Sequence, residues 1–579
     1  MRVPQQNGPH VAIVGAGFSG LLTAVNLLKA SRDVRVTLIE RRGVFGPGTA
    51  YDTGNPGHLL NVRLDNMSAF PDQPSHLADW LAEQPSWRAQ DGFITRGVYG
   101  DYLQALLDEA LDDAPDRLNL IGAEAHSIDR QNEGWRILTS DGEVAADQVV
   151  LALGNLEPAS PPGVEDAVRA SPAYVENPWR FDPQTARDAR NVLLIGSGLT
   201  MVDAAITLRR PGRRMTALSR HGLLPRAHAT VPPTPYVGAF SGSPAEILRQ
   251  IRAATAEADW RAVFDRLRHS ARDIWRGWSR VERSRFLRHL RPLWDVHRHR
   301  LSPGPARDIH SMLAGGELTI LAGKLTELKV TDVIEVSWRP RGKKRAIKER
   351  FDLVVNCTGP LGVISKSTEP MIRDILDKGY GRPDPLGLGL QVDDEGGLLD
   401  GAGAPARGLH AIGPLTRGAF WEMTAVPDLR GQARDLAARI RSNAPRPKQP
   451  TRLAFTAGTI WSDDSEGKRR HRPAGRDPVA GADGLGASER VGLSARLRRQ
   501  GAHRRLRRGS AGRRVRDRRQ RPNRPAADRR GSGCRPDGRP ASGRRRSSLE
   551  PGLSEPAARH RPGPDLSADL HPGRGQSAG

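Results

Sequence analysis

The sequence predicts an α/β protein built twice on one plan, with a helical insertion in its second half and an Arg-rich C-terminal tail. Three observations carry that expectation. Short apolar strands run into a glycine turn and then a helix at two places, residues 11–30 and 191–208. The spacing D-x-V-V-x-x-x-G also occurs twice, at residues 147–154 and 352–359. Composition breaks near residue 450: residues 451–579 hold 31 Lys+Arg against 13 Asp+Glu, so +18 of the formal +24 lies there and the preceding chain is only +6. The overall charge is therefore a poor guide to function, because a nucleic-acid-binding domain carries its basic surface on a folded scaffold.

The first unit begins with Val11-Ala-Ile-Val14, a buried strand, followed by Gly15-Ala-Gly17-Phe-Ser-Gly20, a helix from Leu21 to Ala30, and a second strand from Val34 to Ile39 that ends at Glu40. Gly15 permits the sharp turn, Gly17 lets backbone approach a pyrophosphate, and Gly20 allows close helix packing. The free N–H groups of the helix start favour an anion. Glu40, twenty residues past Gly20, is placed to accept the ribose hydroxyls. With strand, helix and acid all in place, the segment reads as a Rossmann-like dinucleotide-binding unit.

The second unit repeats the pattern. Asn191-Val-Leu-Leu-Ile195 precedes Gly196-Ser-Gly198-Leu-Thr200-Met201-Val-Asp203 and a helix. Met201 replaces the third glycine, so this helix must stand further from its strand. The next strand ends in Ser219-Arg220 where a carboxylate would be expected. A hydroxyl and a guanidinium suit a 2′-phosphate, hence NADPH over NADH, and a solvated strand-end charge is the alternative. Each half then continues as a hairpin, Trp135 onward with a turn at Asp141-Gly142 and Val333 to Trp338 with a basic turn, and closes in a strand ending at Gly154 or Gly359. Duplication explains this better than coincidence.

These motifs resemble the flavoproteins with two dinucleotide-binding domains, the glutathione-reductase-like class that includes flavin-containing and N-hydroxylating monooxygenases. More narrowly, Gly46-Pro-Gly48-Thr-Ala-Tyr51, His58-Leu-Leu-Asn61, Tyr99-Gly100-Asp-Tyr102, residues 198–203, Asn356-Cys-Thr-Gly359-Pro and residues 418–427 resemble a bacterial NAD(P)/FAD-binding family that contains an FAD-dependent urate hydroxylase. The resemblance implies FAD on the first turn, NAD(P)H on the second, and the loop of Gly48 over the FAD. It also implies that Gly413 meets the ribityl chain and that Thr424, Ala425 and Val426 face the flavin pyrimidine edge. Helix N–H groups there would stabilise negative charge on the reduced ring. Class members often carry Gly-Asp where this chain has Gly413-Pro414. Asn61 is expected among the cofactor contacts, and one of His58, Asn61 and Asp72 is offered as a substrate-orienting group, with satisfaction of buried backbone as the commoner role.

The expected organisation is an FAD-binding domain in residues 9–160 and 350–440, interrupted by an NAD(P)H-binding domain at 185–349 with a helical insertion at about 244–300. Trp260, Phe264, Leu267, Ala271, Ile274 and Trp278 form one helical stripe, and Phe286, Leu290, Leu293 and Trp294 another. Packing inside the domain is the expected fate of these basic amphipathic helices, ahead of a membrane surface. The run His297-Arg298-His299-Arg300 lacks metal-ligand spacing, so no metal is expected, and it suits an anionic group or a solvated helix end. Cys357 and Cys534 lie far apart and form no CxxC, which fits a reducing cytoplasm and a structural role for Cys357. Residues 1–10 lack the apolar core of a signal peptide, and no apolar run reaches membrane-spanning length.

The function implied is an FAD- and NAD(P)H-dependent oxidoreductase: a monooxygenase that uses O2 to hydroxylate a small, anionic or heteroaromatic substrate. The alternatives are a reductase or dehydrogenase without oxygen insertion and, from another class, a nucleotide-sensing or nucleic-acid-associated protein. After Trp461 the chain holds no Phe, Tyr, Trp, Ile or Met and one lysine, Lys468. Such a tail cannot bury enough apolar surface to order itself. It reads as a basic arm, a poorly patterned nucleic-acid binder, or an out-of-frame stretch of a GC-rich gene; the last is preferred, with disorder expected in every case. Limited proteolysis should leave a core ending near residue 445 that retains its flavin, and loss of flavin binding on deleting residues 451–579 would refute this.

Overall fold

The computed structural model describes residues 8–84, 91–132 and 134–442, so the tail lies outside the described residues. The chain folds around two sheets. The first runs in the order Gly397–Leu399, Pro405–Ala411, Gln148–Leu151, His10–Val14, Arg35–Ile39, Leu118–Ile121, all parallel except the first. The second runs Ile347–Phe351, Ile334–Pro340, Leu318–Val330, Arg214–Ser219, Asn191–Ile195, Leu353–Asn356, Tyr174–Val175, with a parallel centre and an antiparallel hairpin at one edge. Parallel strands covered on both faces need uninterrupted apolar runs. Val11 to Val14 and Val192 to Ile195 supply them and are buried.

The internal repeat extends to single hydrogen bonds. In the first half the His10 N–H donates to Asp147 Oδ2 at 2.7 Å, and in the second the Asn191 N–H donates to Asp352 Oδ2 at 2.8 Å. Each aspartate of D-x-V-V thus ties its strand to the start of the neighbouring one. The Gly15 N–H bonds the Ile39 carbonyl and the Gly196 N–H the Leu218 carbonyl, both at 2.8 Å. At both glycines φ is positive, +99° and +126°. An added Cβ would lie 2.4 Å from the carbonyl oxygen of Ala152 or Cys357 respectively.

The two halves differ at the third position of the turn. A Cβ on Gly20 would stand 2.0 Å from the Gly15 carbonyl oxygen, which lets the helix Phe18–Ala30 sit against its strand. Its counterpart Met201, on the helix Leu199–Leu208, is fully buried and packs into the second core.

The domain limits expected from sequence shift. The strand Leu353–Asn356, assigned to the returning FAD segment from residue 350, pairs with Asn191–Ile195 in the second sheet. Tyr174–Val175 joins that sheet ahead of residue 185. The first-sheet segment therefore returns only after Gly359: the strand after Asp352 closes the second half as the strand after Asp147 closes the first, and a strand belongs with the backbone groups it pairs.

The helices Pro244–Glu257, Trp260–Gly277, Arg280–His289 and Arg291–Arg298 make up the helical segment. Phe264, Leu267, Ala271, Phe286 and Trp294 of the two stripes pack inward around Trp275, which lies outside both and is 1% exposed, whereas Leu293 of the second stripe is 43% exposed. Their buried apolar faces meet one another and Trp421, while Val281 and Leu293 remain exposed. Among the described residues no helix is long and apolar enough to cross a membrane.

Gly20→Ala and Met201→Ala occupy the same place in the repeat and should fail in opposite ways. The first overpacks, at about 1–3 kcal/mol, and the second leaves a cavity, at about 2–5 kcal/mol. Both costs should appear as lower denaturation midpoints.

Candidate functional site

A cleft of about 410 Å³ runs along the C-terminal ends of the first sheet and reaches the second glycine turn. Its size falls in the range of roughly 300–1,000 Å³ typical of cofactor sites. Gly15 and Gly17 line it at the first turn, Glu40 at the next strand end, Gly48 and Asn61 on the covering loop, and Gly154 where the returning strand ends. Thr200 and Gly359 enter from the second unit, and Thr424 from the segment before the last helix, Val426–Ser442. Residues predicted from separate stretches of sequence are thus brought to one cavity.

The backbone fits a dinucleotide phosphate. Gly17 and Gly48 meet back to back: a Cβ on Gly17 would lie 3.3 Å from the Gly48 Cα, and one on Gly48 2.9 Å from the Gly17 Cα. The Gly46 N–H fixes that loop by donating to the Ala16 carbonyl at 2.8 Å. No side chain at Gly17 covers the helix start, which leaves its N–H groups open to an anion. Glu40 accepts from the Ala16 and Arg42 N–H groups, each at 3.1 Å, which fixes its carboxylate at the cleft edge.

Other predicted residues stand outside the cleft wall. Gly20 packs inward against Gly15, and Gly413 sits behind the wall, its N–H donating to Gln432 Oε1 at 2.9 Å, while Pro414 takes its place at the surface. Ala425 and Val426 start the final helix behind Thr424. Gly196, Gly198, Ser219 and Arg220 form a separate face at the end of the second sheet. A Cβ on Gly198 would meet nothing within 4 Å, so the space before that turn is open. Ser219 Oγ lies 2.8 Å from Ser197 Oγ and accepts from the Gly222 N–H at 3.0 Å, and Arg220 is exposed.

Of the three polar residues offered for substrate, Asn61 alone lines the cleft. Asp72 is exposed elsewhere. His58 is buried and bridges the two units, with Nε2 2.9 Å from Thr207 Oγ1 and Nδ1 3.1 Å from Thr53 Oγ1. Burial holds its imidazole below the ordinary range, with Asp203 opposing and Arg96 adding. Beside it Arg96 Nη2 pairs with Asp203 Oδ2 at 2.8 Å, and the guanidinium lies 5.3 Å from the Trp179 ring centroid. Burial raises the Asp203 carboxyl while Arg96 and His58 lower it. Arg96, Asp203 and Trp179 all line the cleft, and sequence reading assigned them no role.

The run at 297–300 divides its labour. His297 stacks on Phe264 at 4.8 Å, Arg300 pairs with Asp265 at 2.7 Å, and Arg298 Nε donates to Glu422 Oε2 at 2.8 Å. Only His299 reaches the cleft. Glu422 also accepts from Trp294 Nε1 at 2.9 Å. Burial pushes its carboxyl up, but Arg298, His299 and the Trp294 N–H outweigh that and hold it below the usual range. The helical segment thereby anchors the residues leading to Thr424. Among the described residues no cluster of three or more His, Cys, Asp or Glu is placed to hold a metal. Cys357 is 3% exposed and its thiol is pushed far up by burial, so it stays protonated and structural.

Residues 12–156 match the FAD-NAD(P)-binding family. A flavin-containing monooxygenase of Aspergillus flavus is 26% identical over 235 residues, covering 37% of this chain and 54% of that protein. A nitrosuccinic acid synthase of Aspergillus oryzae is 28% identical over 240 residues, 35% of this chain and 36% of that protein. The chain thus spans about a third to a half of the length of these curated relatives. In fold it is similar to the ornithine N-hydroxylase of Kutzneria sp. 744, with a TM-score of 0.52 at 16% identity, over 75% of this chain and 99% of that one.

Glu422→Gln should destabilise the protein, by up to about 3–5 kcal/mol, because it removes the nearer of the two carboxylates facing the buried Arg298 guanidinium and leaves only Asp428 at 3.9 Å. A carboxyl held low when folded contributes stability above the ordinary carboxylate range and loses it as pH falls through the folded value. Wild type should therefore lose part of its stability on acidification, and the Gln variant should lack that component in a pH series of thermal melts.

Proposed function

We propose that the protein is an FAD-dependent NAD(P)H oxidoreductase acting as a monooxygenase on a small substrate. The observation that supports this most is the single cleft that joins the first glycine turn to Thr200, Asp203 and Gly359 of the second unit. Two dinucleotides bound there would bring their reactive rings to one place. FAD and the nicotinamide, when bound, supply hydride transfer and O2 activation; the chain supplies position and shelter.

Gly15, Gly17 and the start of the helix Phe18–Ala30 hold the pyrophosphate, Glu40 the ribose, and Gly48 with its loop closes over them. Gly154 and Pro414 form the wall along the ribityl chain, with Gly413 behind it. The helix start at Ala425-Val426, behind Thr424, directs its free N–H groups toward the flavin pyrimidine edge, while the Thr424 N–H is held by the Glu422 carbonyl at 2.8 Å. Gly196, Gly198 and Thr200 hold the NAD(P)H pyrophosphate, Ser219 and Arg220 its 2′-phosphate, and Gly359 bounds the nicotinamide end. Asn61 and His299 orient substrate, with Asn155, Asn177 and Arg180 among the other polar groups of the cleft lining, and the Arg96–Asp203 pair keeps the units in register. In domain terms, residues 9–160 and those after Gly359 to 440 serve the FAD, and the segment between them serves NAD(P)H.

The likeness to the group containing an FAD-dependent urate hydroxylase supports an anionic or heteroaromatic substrate, with O2 as co-substrate and the cytoplasm as location. The N-hydroxylase fold supports the same reaction class. A reductase that passes electrons through a cysteine pair lacks its dithiol, since the two cysteines of the chain stand at 357 and 534.

Purified protein should carry FAD, and Gly17→Asp should lose it by placing a charged side chain against the pyrophosphate. Wild type should also consume NADPH with O2 and, with its substrate, yield a hydroxylated product by mass spectrometry. Colourless, well-folded wild type that cannot be reconstituted with FAD would end this reading. NADPH oxidation without product across a broad metabolite screen would favour the reductase alternative.

A further inference from the structure

The hairpin of the second sheet ends in Arg341-Gly-Lys343-Lys344-Arg345, an exposed basic tip. Its position follows from strand register. Ser219, the last residue of Arg214–Ser219, pairs with Ala322 on the long strand Leu318–Val330. The next residue of that strand, Gly323, pairs with Pro340, where the hairpin strand Ile334–Pro340 ends. The tip therefore emerges at the level of the Ser219-Arg220 strand end, about two strand spacings or ~10 Å across the sheet.

Two further contacts tighten that placement onto one residue. The Arg341 N–H donates to the Ala322 carbonyl at 2.9 Å. On the other side, a Cβ on Gly222 would lie 3.1 Å from the Ala322 Cβ, so the turn after Ser219 rests on the same alanine. Arg220 and Arg341 thus flank Ala322 from opposite sides, and both are exposed. His221 lies between them: burial lowers its imidazole from the ordinary range, and the charges of Arg341 and Arg220 lower it further.

We propose that Arg341, at the hairpin tip, is a second residue for the 2′-phosphate of NADPH and shares that group with Arg220. The inference rests on the second glycine turn holding NAD(P)H. The second strand of a dinucleotide unit brings the adenosine ribose to its end. Here that end offers a guanidinium from its own strand and another from a hairpin more than a hundred residues later in the chain. Two guanidinium groups match the doubly charged phosphate better than one, and NADH presents no group for either. The hairpin thereby becomes a determinant of coenzyme choice.

The test is calorimetric titration of the full-length protein, with FAD bound, by adenosine 2′,5′-bisphosphate and by 5′-AMP. Arg341→Ala should weaken the bisphosphate about fivefold and leave 5′-AMP within about twofold, with Arg220→Ala acting in the same direction. The double variant should lose less than the product of the two single effects, because both side chains serve one phosphate. Kinetics should agree: the KM for NADPH rises in Arg341→Ala while that for NADH does not. Bisphosphate affinity unchanged in Arg341→Ala, or both nucleotides weakened equally, overturns the role of Arg341 and leaves the coenzyme site standing if Arg220→Ala still removes the preference. A wild type that binds neither nucleotide overturns this inference and the second dinucleotide site together.

Discussion

The architecture depends on a backbone crossing made twice. At Gly15 and at Gly196 the chain must turn out of a strand while its N–H bonds the next strand and its Cα lies against the carbonyl of Ala152 or Cys357. A side chain at either place would push the returning strand away. Because none is present, the strand end, the helix start and the returning strand meet within a few ångströms. The consequence is chemical: helix N–H groups and strand-end backbone face the same space, which is where an anionic cofactor is held without a charged side chain.

The second dependence runs from the helical segment back to the first unit. Thr424 stands at the cleft because Glu422, two residues earlier, is tied to Trp294 and Arg298, and Trp421 stacks on Trp275 at 4.7 Å. Trp421 itself has φ +58°, a left-handed conformation that a bulky side chain adopts only where surroundings impose it. The aromatic core of the insertion imposes it. A segment inserted into one unit thus fixes the geometry of the site in the other, and the Arg96–Asp203 pair with the His58–Thr207 bridge makes a second tie between them.

Much of this was legible in sequence because its causes are local. Glycine spacing, strand-length apolar runs and the repeated D-x-V-V announce both turns and both returning strands, and the helical stripes announce the insertion. What was not legible depends on contacts distant in sequence. A boundary at residue 350 conflicts with the repeat itself, because by analogy with Asp147 the strand after Asp352 returns to residue 192; only the pairing shows that the repeat outweighs the domain limit. Arg96 and Asp203 are ordinary helix residues until folding brings them together. In the 297–300 run, four polar residues looked equivalent, and only the helix end decides that His299 faces the cleft while its neighbours meet Phe264, Glu422 and Asp265. Arg220 was legible as a charge at a strand end, whereas Arg341 beside it required the register of two further strands.

The central claim is that one cleft brings the flavin and the nicotinamide together in position to react. Anaerobic mixing of the FAD-bound protein with NADPH tests it most directly, followed through the visible absorption band of oxidised flavin. The account predicts that the band bleaches in a saturable, single-turnover reaction and returns on admission of O2. A protein that retains its flavin but leaves the band unchanged under excess NADPH and excess NADH would contradict it.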